Sequence, residues 1–442
     1  MTVIWQTALA LGLILGLLGI MTWLSRHARD HDWHPELARK IVHVLASGLA
    51  IPLPWLFVDD WPVWLVLGLA LLAMTAMRTP LLRGPGRALH SVERKSWGDV
   101  LLVVSVGLLF LLHAAHPVLY VLPLAVVALG DAAAALAGSA YGRTFYLTPD
   151  GRKSVEGSTM FFLVTVILAM VCLLLQTDMA RTDLILAAFS IALFATVIEA
   201  DSWAGLDNLF LPMGVFLFLF NFIGWPGEPG LTRVLGPLVA MPLAYGLSRG
   251  AGASPQVARI HAVALFMILS AVHVWNAVLP GLVLLAQALG AGRRARPDGD
   301  RGALNIVTGL AAFSFAFLAI EVPCRASGIN FYGFGCAAVA AGLLAHGLPR
   351  MTQALRLGAA LAAAGTLWSL WVLLTGLNTG TTAWHGTQEI EAAVVIALTA
   401  LLPVLWPALF HRKAEVRISL LGALPALCLY GGHCLLIGGG GA

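Results

Sequence analysis

The stretch of the chain with the clearest potential for chemistry is residues 130–157, GDAAAALAGSAYGRTFYLTPDGRKSVEG, which lies between two long apolar runs. It opens with an acid, Asp131, and closes with Lys153, Ser154 and Glu156 shortly before the next apolar run. An ionisable side chain inside a membrane span is energetically costly, and it is therefore a candidate for function. We predict that Asp131 lies inside the cytoplasmic end of the fifth apolar run.

The loop that follows Asp131 combines features of a phosphate-binding site. Its glycines permit tight turns and close approach of a ligand to the backbone. Arg152 and Lys153 supply positive charge, and Ser154 stands where the next helix is predicted to begin. Free N–H groups at a helix N-terminus bind phosphate well. The alternative is an ordinary basic loop with Ser154 as a helix cap, and glycines that pack against another helix.

A second polar segment, IEADSWAGLDNLFLPM at 198–213, carries three acids and no base. These acids, Glu199, Asp201 and Asp207, depart from the positive charge that is typical of cytoplasmic loops. Acids near a phosphate-binding loop indicate Mg²⁺, which takes oxygen ligands and keeps substrate phosphates in its shell. We predict that Asp131 and Asp207 hold this metal. The alternative is a solvated acidic loop.

A third polar segment, PELARKIVHVLASG at 35–48, enters an apolar run. Lys40 and His43 share one helical face, and Arg39 stands one helical turn before His43. We predict that this face contacts phosphate or a substrate hydroxyl, although an interfacial histidine is the alternative. The candidates for the base that accepts a hydroxyl proton, among which the sequence does not choose, are Asp131, Glu199 and His43.

The elements that position these residues are membrane helices. Of the 442 residues, 59% are hydrophobic and 11% are charged, whereas soluble domains carry about 25% charged residues. Apolar runs recur along the whole chain, and no β-barrel alternation is visible. We predict an all-α fold, a polytopic transmembrane helical bundle of about 14–16 spans. The long run 258–290 is predicted to form a hairpin because Asn276 and Pro280 lie near its middle.

The charge and cysteine patterns narrow the function and orient the chain. Basic residues follow the first, third and fifth runs, whereas the loops 58–60 and 114–116 contain none. This predicts an integral protein of a bacterial inner membrane whose polar segments face the cytoplasm, where nucleotides are available. The five cysteines form no CxxC pair, so neither a disulfide framework nor a zinc site is indicated. No basic domain suggests a nucleic-acid partner.

Four motifs in order resemble one enzyme family: RKIVH with Gly48, RKSWG, GDAAAALAGSAYG with RKSVEGS, and EADSWAGLDNLFLP. Together they are similar to the dolichol kinase/phytol kinase family, which includes CTP-dependent diacylglycerol kinases and is distantly related to phosphatidate cytidylyltransferases. The resemblance covers residues 33–225. It implies a membrane enzyme that transfers the γ-phosphate of CTP, or another nucleotide, to a lipid alcohol. The alcohol could be phytol, farnesol, a polyprenol or diacylglycerol, and Mg²⁺ is implied as cofactor.

The resemblance also assigns roles to residues of this chain. The predicted catalytic residues are Asp131, Lys153 and His43, which match the family's motifs, and Glu199, which is a candidate from its charge and position alone. The predicted nucleotide-binding residues that match the motifs are Gly138, Gly142, Lys153, Ser154, Glu156, Gly157, Arg39 and Lys40, and Arg152 is added from its charge. Asp131 and Asp207 are the implied metal ligands, and Asn208 is the implied substrate contact.

The resemblance ends before residue 226, so 1–225 is predicted to be the kinase-like domain and 226–442 a second polytopic membrane domain of unknown function. Two other functions stay open for the chain. One is a cytidylyltransferase that makes a CDP-lipid, although its usual dense acidic and histidine-rich signature is absent from the sequence. The other is a transporter or a non-catalytic binding protein. Transporters often contain inverted repeats, and none is visible between the two halves, which favours the enzyme.

Overall fold

The computed structural model describes residues 2–31, 33, 35–76, 78, 97–113, 116–148, 151–201, 203–224, 230–292, 300–348, 351–378, 388–411 and 413–439. The chain divides into two compact units, Met1–Val234 and Leu235–Ala442. Each unit is described by itself below. The sequence-based prediction put the division between residues 225 and 226.

The predicted all-α polytopic bundle is confirmed. Eight described helices are long and apolar enough to cross a membrane, by length and composition: Val3–Ala28, Val118–Tyr141, Val155–Gln176, Arg181–Asp201, Arg301–Cys324, Ile329–His346, Gln353–Leu377 and Ala414–Leu436. Shorter apolar helices of 10–17 residues accompany them: Lys40–Ala50, Trp61–Ala76, Gly98–Leu112, Asp207–Ile223, Pro255–Ala271 and Val274–Gly290.

The first unit contains α1 (Val3–Asp30), α2 (Pro35–Ala50), α3 (Leu53–Leu56), α4 (Trp61–Ala76), α5 (Gly98–Leu112), α6 (Val118–Ala125), α7 (Asp131–Tyr141), α8 (Val155–Gln176), α9 (Arg181–Asp201) and α10 (Asp207–Gly224). Helix α8 packs between α7 and α9, and α5 packs between α4 and α10. Apolar side chains such as Phe194 and Ala195 of α9, and Met213 and Val215 of α10, are completely or almost completely buried. Helix α6 is equally buried, with Leu119 and Leu122 at 1% and 0% exposure, so α6, α9 and α10 all contribute to the interior of this unit.

Helices α6 and α7 are joined without a break by a π-helical segment, Val126–Gly130. Pro123 lies inside α6 just before it, and a proline inside a helix removes one hydrogen-bond donor and crowds the preceding turn. The π segment ends at the residue before Asp131. Such insertions are frequently found at functional sites. This one makes the backbone around Asp131 irregular.

The predicted loop between Gly142 and Ser154 contains a short antiparallel hairpin, β1 (Phe145–Thr148) and β2 (Gly151–Ser154). In its register Tyr146 lies opposite Lys153 and Leu147 lies opposite Arg152. Because successive side chains of a strand point to opposite faces, Lys153 and Arg152 are directed to different sides. The hairpin thus directs these two adjacent basic residues apart.

The second unit contains α12 (Pro255–Ala271), α13 (Val278–Gly292), α14 (Arg301–Cys324), α15 (Ile329–His346), α16 (Gln353–Leu377), α17 (Glu389–Leu405) and α18 (Ala414–Gly439), and α11 (Gly230–Gly250) crosses the boundary between the units. The run 258–290 breaks at residues 272–277, where a 3₁₀ turn, Val274–Ala277, separates α12 from α13. The predicted break of this run into two helices is therefore confirmed. Asn276, Asn330 and Asn378 meet beside it, joined through their side-chain amides at 2.9–3.0 Å.

The expectation that the cysteines form no disulfide is wrong for one pair. Cys324, at the end of α14, is bonded to Cys434 in α18. The two residues are 110 apart in sequence. Local spacing patterns such as CxxC detect only cysteines that are close in sequence, so a pair joined by helix packing gives no such signal.

Candidate functional site

The first group of charged side chains joins α2 to the start of α7. The Lys40 Nζ donates to both carboxylate oxygens of Asp131 at 2.5 Å. The His43 Nε2 lies 3.8 Å from Asp131 Oδ2, which is an ion-pair distance rather than a hydrogen bond. The side chain of Asp131 is only 17% exposed. The helical spacing of Lys40 and His43 thus brings both to one carboxylate, as their shared face predicts.

The second group joins the hairpin to the end of α9. The Lys153 Nζ donates to the Glu199 Oε1 at 2.7 Å and also to the Glu199 carbonyl oxygen. The Glu199 side chain is 9% exposed and that of Lys153 is 26% exposed. A charge this well buried requires a partner of opposite sign. Lys153 therefore neutralises a carboxylate that α9 holds inside the unit.

Electrostatic interactions link these groups to Asp207. Burial by itself would lower the pKa of Lys153, but the carboxylates of Glu199 and Asp207 outweigh it and raise that pKa above its ordinary value. Both Asp131 and Asp207 lie within electrostatic range of Glu199. The predicted catalytic and metal-binding residues therefore belong to one charged region of the first unit. Lys153 stays a cation throughout the neutral pH range.

Asp207 and Asn208 begin α10, directly after a tight turn. Ala204 and Gly205 adopt left-handed backbone conformations with φ of 53° and 81°. Such a conformation is uncommon for a residue with a side chain, and it costs free energy at Ala204. The turn is also held from α5, because the Trp97 backbone N–H donates to the Ala204 carbonyl at 2.9 Å.

The side chain of Asp207 contains the clearest unsatisfied atom in this region. Its Oδ1 is buried and has no hydrogen-bond partner among the residues that the structure describes. A buried carboxylate oxygen without a donor costs free energy unless a bound group supplies one. Within the described ranges no group of three or more His, Cys, Asp or Glu side chains gathers as a metal cluster. Mg²⁺ commonly binds one or two carboxylates together with substrate phosphates, so Asp207 fits that kind of ligand.

The predicted glycines serve close helix packing. A Cβ at Gly157 would lie 2.8 Å from the Ala134 carbonyl oxygen, and a Cβ at Gly138 would lie 2.8 Å from Ser154 Oγ. A Cβ at Gly142 would lie 3.1 Å from the Ser154 Cβ. Helix α7 therefore approaches the start of α8 so closely that side chains are excluded. The glycines thus lie where α7 meets the start of α8, as the alternative of helix packing predicts, and their contact with a nucleotide stays a prediction.

The substitution Gly157→Ala is expected to destabilise the first unit by about 1–3 kcal/mol, because a backbone carbonyl must move to admit the methyl group. The measurement is the unfolding temperature of the purified protein in detergent. Gly48→Ala is the matched control, since no atom lies within 4 Å of its Cβ position. An equal effect of the two substitutions would contradict the packing role of Gly157.

Three other predicted residues make local contacts around the hairpin. The Ser154 Oγ caps α8 by accepting from the Gly157 N–H at 3.1 Å. The Glu156 carboxylate accepts from the Thr144 N–H at 3.1 and 3.3 Å. The exposed Arg152 places its guanidinium 4.9 Å from the centre of the Phe145 ring. Arg39 lies in α2, and its side chain is outside the described part of the structure.

An apolar pocket opens beside the charged region, between α1, α2, α4 and α5. Its lining is mostly aliphatic, and its polar lining residues are His43, Arg78, Asp99 and Asn208. His43 therefore faces the pocket and also lies next to Asp131. Among the three candidates for the catalytic base, His43 is the one that lines this pocket.

Sequence reasoning missed three residues of this region. Arg78 and Asp99 form an ion pair at the polar end of the pocket, and the Arg78 guanidinium lies 4.5 Å from the centre of the Trp97 ring. Tyr146 lies beside Lys153 and shares a 2.7 Å hydrogen bond with Ser158. The motif RKSWG pointed to Trp97 and its neighbours, but the partner Arg78 is 21 residues from Asp99 and follows no motif.

One curated protein of known activity is similar to the chain. It is the phytol kinase of Synechocystis sp. (strain ATCC 27184 / PCC 6803 / Kazusa), with 30% identity over 225 residues. The match covers 50% of this chain and 92% of that protein, and it leaves the C-terminal half uncovered. No protein-family model matches the chain. No solved structure matches it.

Proposed function

The chain belongs to the phytol kinase family, and from this premise we propose that its first unit transfers the γ-phosphate of CTP to the hydroxyl of an isoprenoid alcohol such as phytol or farnesol. Family membership supports a lipid-alcohol kinase. The use of CTP and the identity of the alcohol go beyond what family membership supports, and they are proposed here. The observation that carries the lipid-alcohol part is the position of His43, which lines an apolar pocket and lies 3.8 Å from Asp131. The choice of CTP rests on the resemblance of the sequence motifs to CTP-dependent kinases.

The nucleotide phosphates bind where the hairpin meets the acidic end of α9. Phosphoryl transfer depends mainly on positioning and on neutralising charge. Lys153 supplies a permanent cation there, and Lys40 supplies a second one beside Asp131. The Lys153 ammonium group is paired with the Glu199 carboxylate, so the phosphates compete with that carboxylate for it.

A divalent cation, proposed to be Mg²⁺, would be held by Asp207 and Asp131, both of which lie within electrostatic range of Glu199. Its support is the buried Asp207 Oδ1, which has no hydrogen-bond partner in the described residues. When bound, the metal neutralises phosphate oxygens and orients them. Asp207 then needs no protein donor, because its oxygen serves as a metal ligand.

The lipid hydroxyl meets His43 at the polar end of the pocket. We assign His43 as the base that accepts the hydroxyl proton, with Asp131 holding the imidazole and stabilising its protonated form. Asn208 lines the same end of the pocket and can hydrogen-bond the hydroxyl. Glu199 is assigned to charge balance at Lys153, because its carboxylate is engaged there.

The site is proposed to face the cytoplasm of a bacterial inner membrane. The basic loops after the first, third and fifth apolar runs support this orientation for the first unit. In the second unit, Arg301 and Lys413 stand at the starts of α14 and α18, whereas the disulfide joins the opposite ends of these helices. Disulfides persist in oxidising compartments, so the basic ends are assigned to the cytoplasmic side.

The products formed by purified protein in lipid, supplied with CTP, Mg²⁺ and an alcohol panel, test the proposal. CDP and a phosphorylated lipid are expected. Asp207→Asn is expected to lower kcat at least about 100-fold, within the range for removing a charge-stabilising group. Asp178→Asn, an exposed acid in the loop between α8 and α9, is the matched control and should retain turnover.

Two results would contradict the kinase. Pyrophosphate together with a CDP-lipid would identify a cytidylyltransferase. Failure to consume either CTP or ATP with any alcohol, diacylglycerol or phosphatidate would favour a transport or binding function.

A further inference from the structure

We infer that the apolar pocket between α1, α2, α4 and α5 limits the length of the alcohol tail that the protein accepts. Ala50 and Leu53 form the closed end of the pocket, called the floor below, against which the tail ends. This inference rests on the proposed kinase function. It adds the residues that determine which alcohols are accepted, and it places them far from the charged groups.

The lining of the pocket changes from polar to apolar along two of its helices, α2 and α5, whereas the lining residues of α1 and α4 are all apolar. In α2 the lining runs from His43 to Ala50, and in α5 it runs from Asp99 to Val106. The other polar lining residues, Arg78 and Asn208, belong to the His43 end. A molecule with one hydroxyl and a hydrocarbon tail therefore matches the pocket in a single orientation.

The floor lies where α2 gives way to the short helix α3. Ala50 and Leu53 are both buried and line the pocket. The turn between them is held in place, because the buried Tyr120 hydroxyl donates to the Ala50 carbonyl at 2.8 Å. A tail that reaches this turn meets packed protein.

The distance from the polar end to the floor sets the tail length. Gly98 and Val106 of α5 both line the pocket, and at 1.5 Å per residue they are about 12 Å apart along the axis. An isoprene unit adds four chain bonds, and three bonds of an extended peptide span about 3.5 Å, so one unit spans about 4.5 Å. The pocket therefore encloses about three isoprene units. A three-unit tail fills it, a fourth unit presses on the floor, and long polyprenols and two-chain lipids exceed it.

Substitutions at the floor test this inference through relative, rather than absolute, rates. Ala50→Leu adds side-chain volume at the floor and shortens the pocket, whereas Leu53→Ala removes volume there and lengthens it. We expect Ala50→Leu to reduce the ratio of kcat/KM for a four-unit alcohol to that for a two-unit alcohol at least tenfold. We expect Leu53→Ala to raise the same ratio. Leu45→Phe is the control, because Leu45 lies on the same helix, is exposed and does not line the pocket.

Equilibrium binding of the same two alcohols, without nucleotide, is measured beside turnover. The inference would be overturned if the wild-type protein phosphorylates alcohols and both floor variants keep the wild-type ratios of kcat/KM and of Kd. That result would leave the proposed kinase function intact. Shifted Kd ratios without any turnover would support the pocket and contradict the kinase. Loss of folding in Ala50→Leu leaves Leu53→Ala as the deciding variant, since it adds no atoms.

Discussion

Replacing Lys153 by methionine is expected to abolish phosphoryl transfer and to destabilise the first unit. The substitution removes the ammonium group that pairs with Glu199 at 2.7 Å and leaves that carboxylate buried without its cation. Breaking a fully buried ion pair costs about 3–5 kcal/mol, and partial exposure of Lys153 reduces this to about 2–3 kcal/mol. The measurements are the unfolding temperature in detergent and the rate of CDP formation.

The double variant Lys153→Met/Glu199→Gln separates stability from chemistry. Removing the carboxylate charge takes away the cause of the destabilisation, so the unfolding temperature should return towards the wild-type value. Turnover should stay absent, because no cation faces the phosphates at the hairpin. Arg181→Met, an exposed residue at the start of α9, controls for the loss of a positive charge. A stable double variant with turnover within tenfold of wild type would remove Lys153 from the chemistry.

The sequence was sufficient to predict that distant polar segments meet in one site, because the few charged residues of an apolar chain stand out and indicate where function lies. Lys40, Asp131 and Glu199 are separated by long apolar runs, yet the basic loops imply that they share one side of the membrane. The structure brings Lys40 to Asp131 at 2.5 Å. It also places Glu199 within electrostatic range of Asp131.

The partners of the predicted residues could not be predicted. The sequence singles out Lys153 but does not indicate that it pairs with Glu199, and the register of the hairpin decides that contact. Glycine gives the same signal whether a phosphate or a helix approaches it, and at Gly157 the neighbour is the Ala134 carbonyl. Three-dimensional packing determines both outcomes, and sequence spacing does not encode it.

The pocket and the disulfide were missed for a related reason. The pocket walls are aliphatic side chains whose sequence pattern is that of any membrane helix, so the space between them leaves no signal. Cys324 and Cys434 meet only because α14 packs against α18. The π segment before Asp131 likewise depends on backbone geometry, although Pro123 upstream was a sequence cue that the helix is irregular.

Asp131→Asn is expected to lower kcat about 1,000-fold, within the usual range for a proton-transfer pair. The amide cannot balance the charge of Lys40 or stabilise a protonated His43, although it preserves the size of the side chain. The fold should survive, because the amide oxygen can still accept from the Lys40 ammonium. The measurements are kcat, KM for the alcohol and the unfolding temperature. Wild-type turnover in a folded Asp131→Asn variant would exclude Asp131 from the mechanism.

The dependence of the residual activity on Mg²⁺ distinguishes the two roles proposed for Asp131. If Asp131 chiefly holds the metal with Asp207, the variant should need at least tenfold more Mg²⁺ for half-maximal turnover, as Asp207→Asn should. If Asp131 chiefly orients His43, the Mg²⁺ requirement should stay within about twofold of wild type, and His43→Gln should lose a similar factor in kcat. His43→Gln combined with Asp131→Asn should then cost little more than either substitution alone, because residues that act as one unit are not additive. The geometry favours the second result, since Lys40 already holds both carboxylate oxygens of Asp131 and the His43 imidazole lies 3.8 Å from one of them.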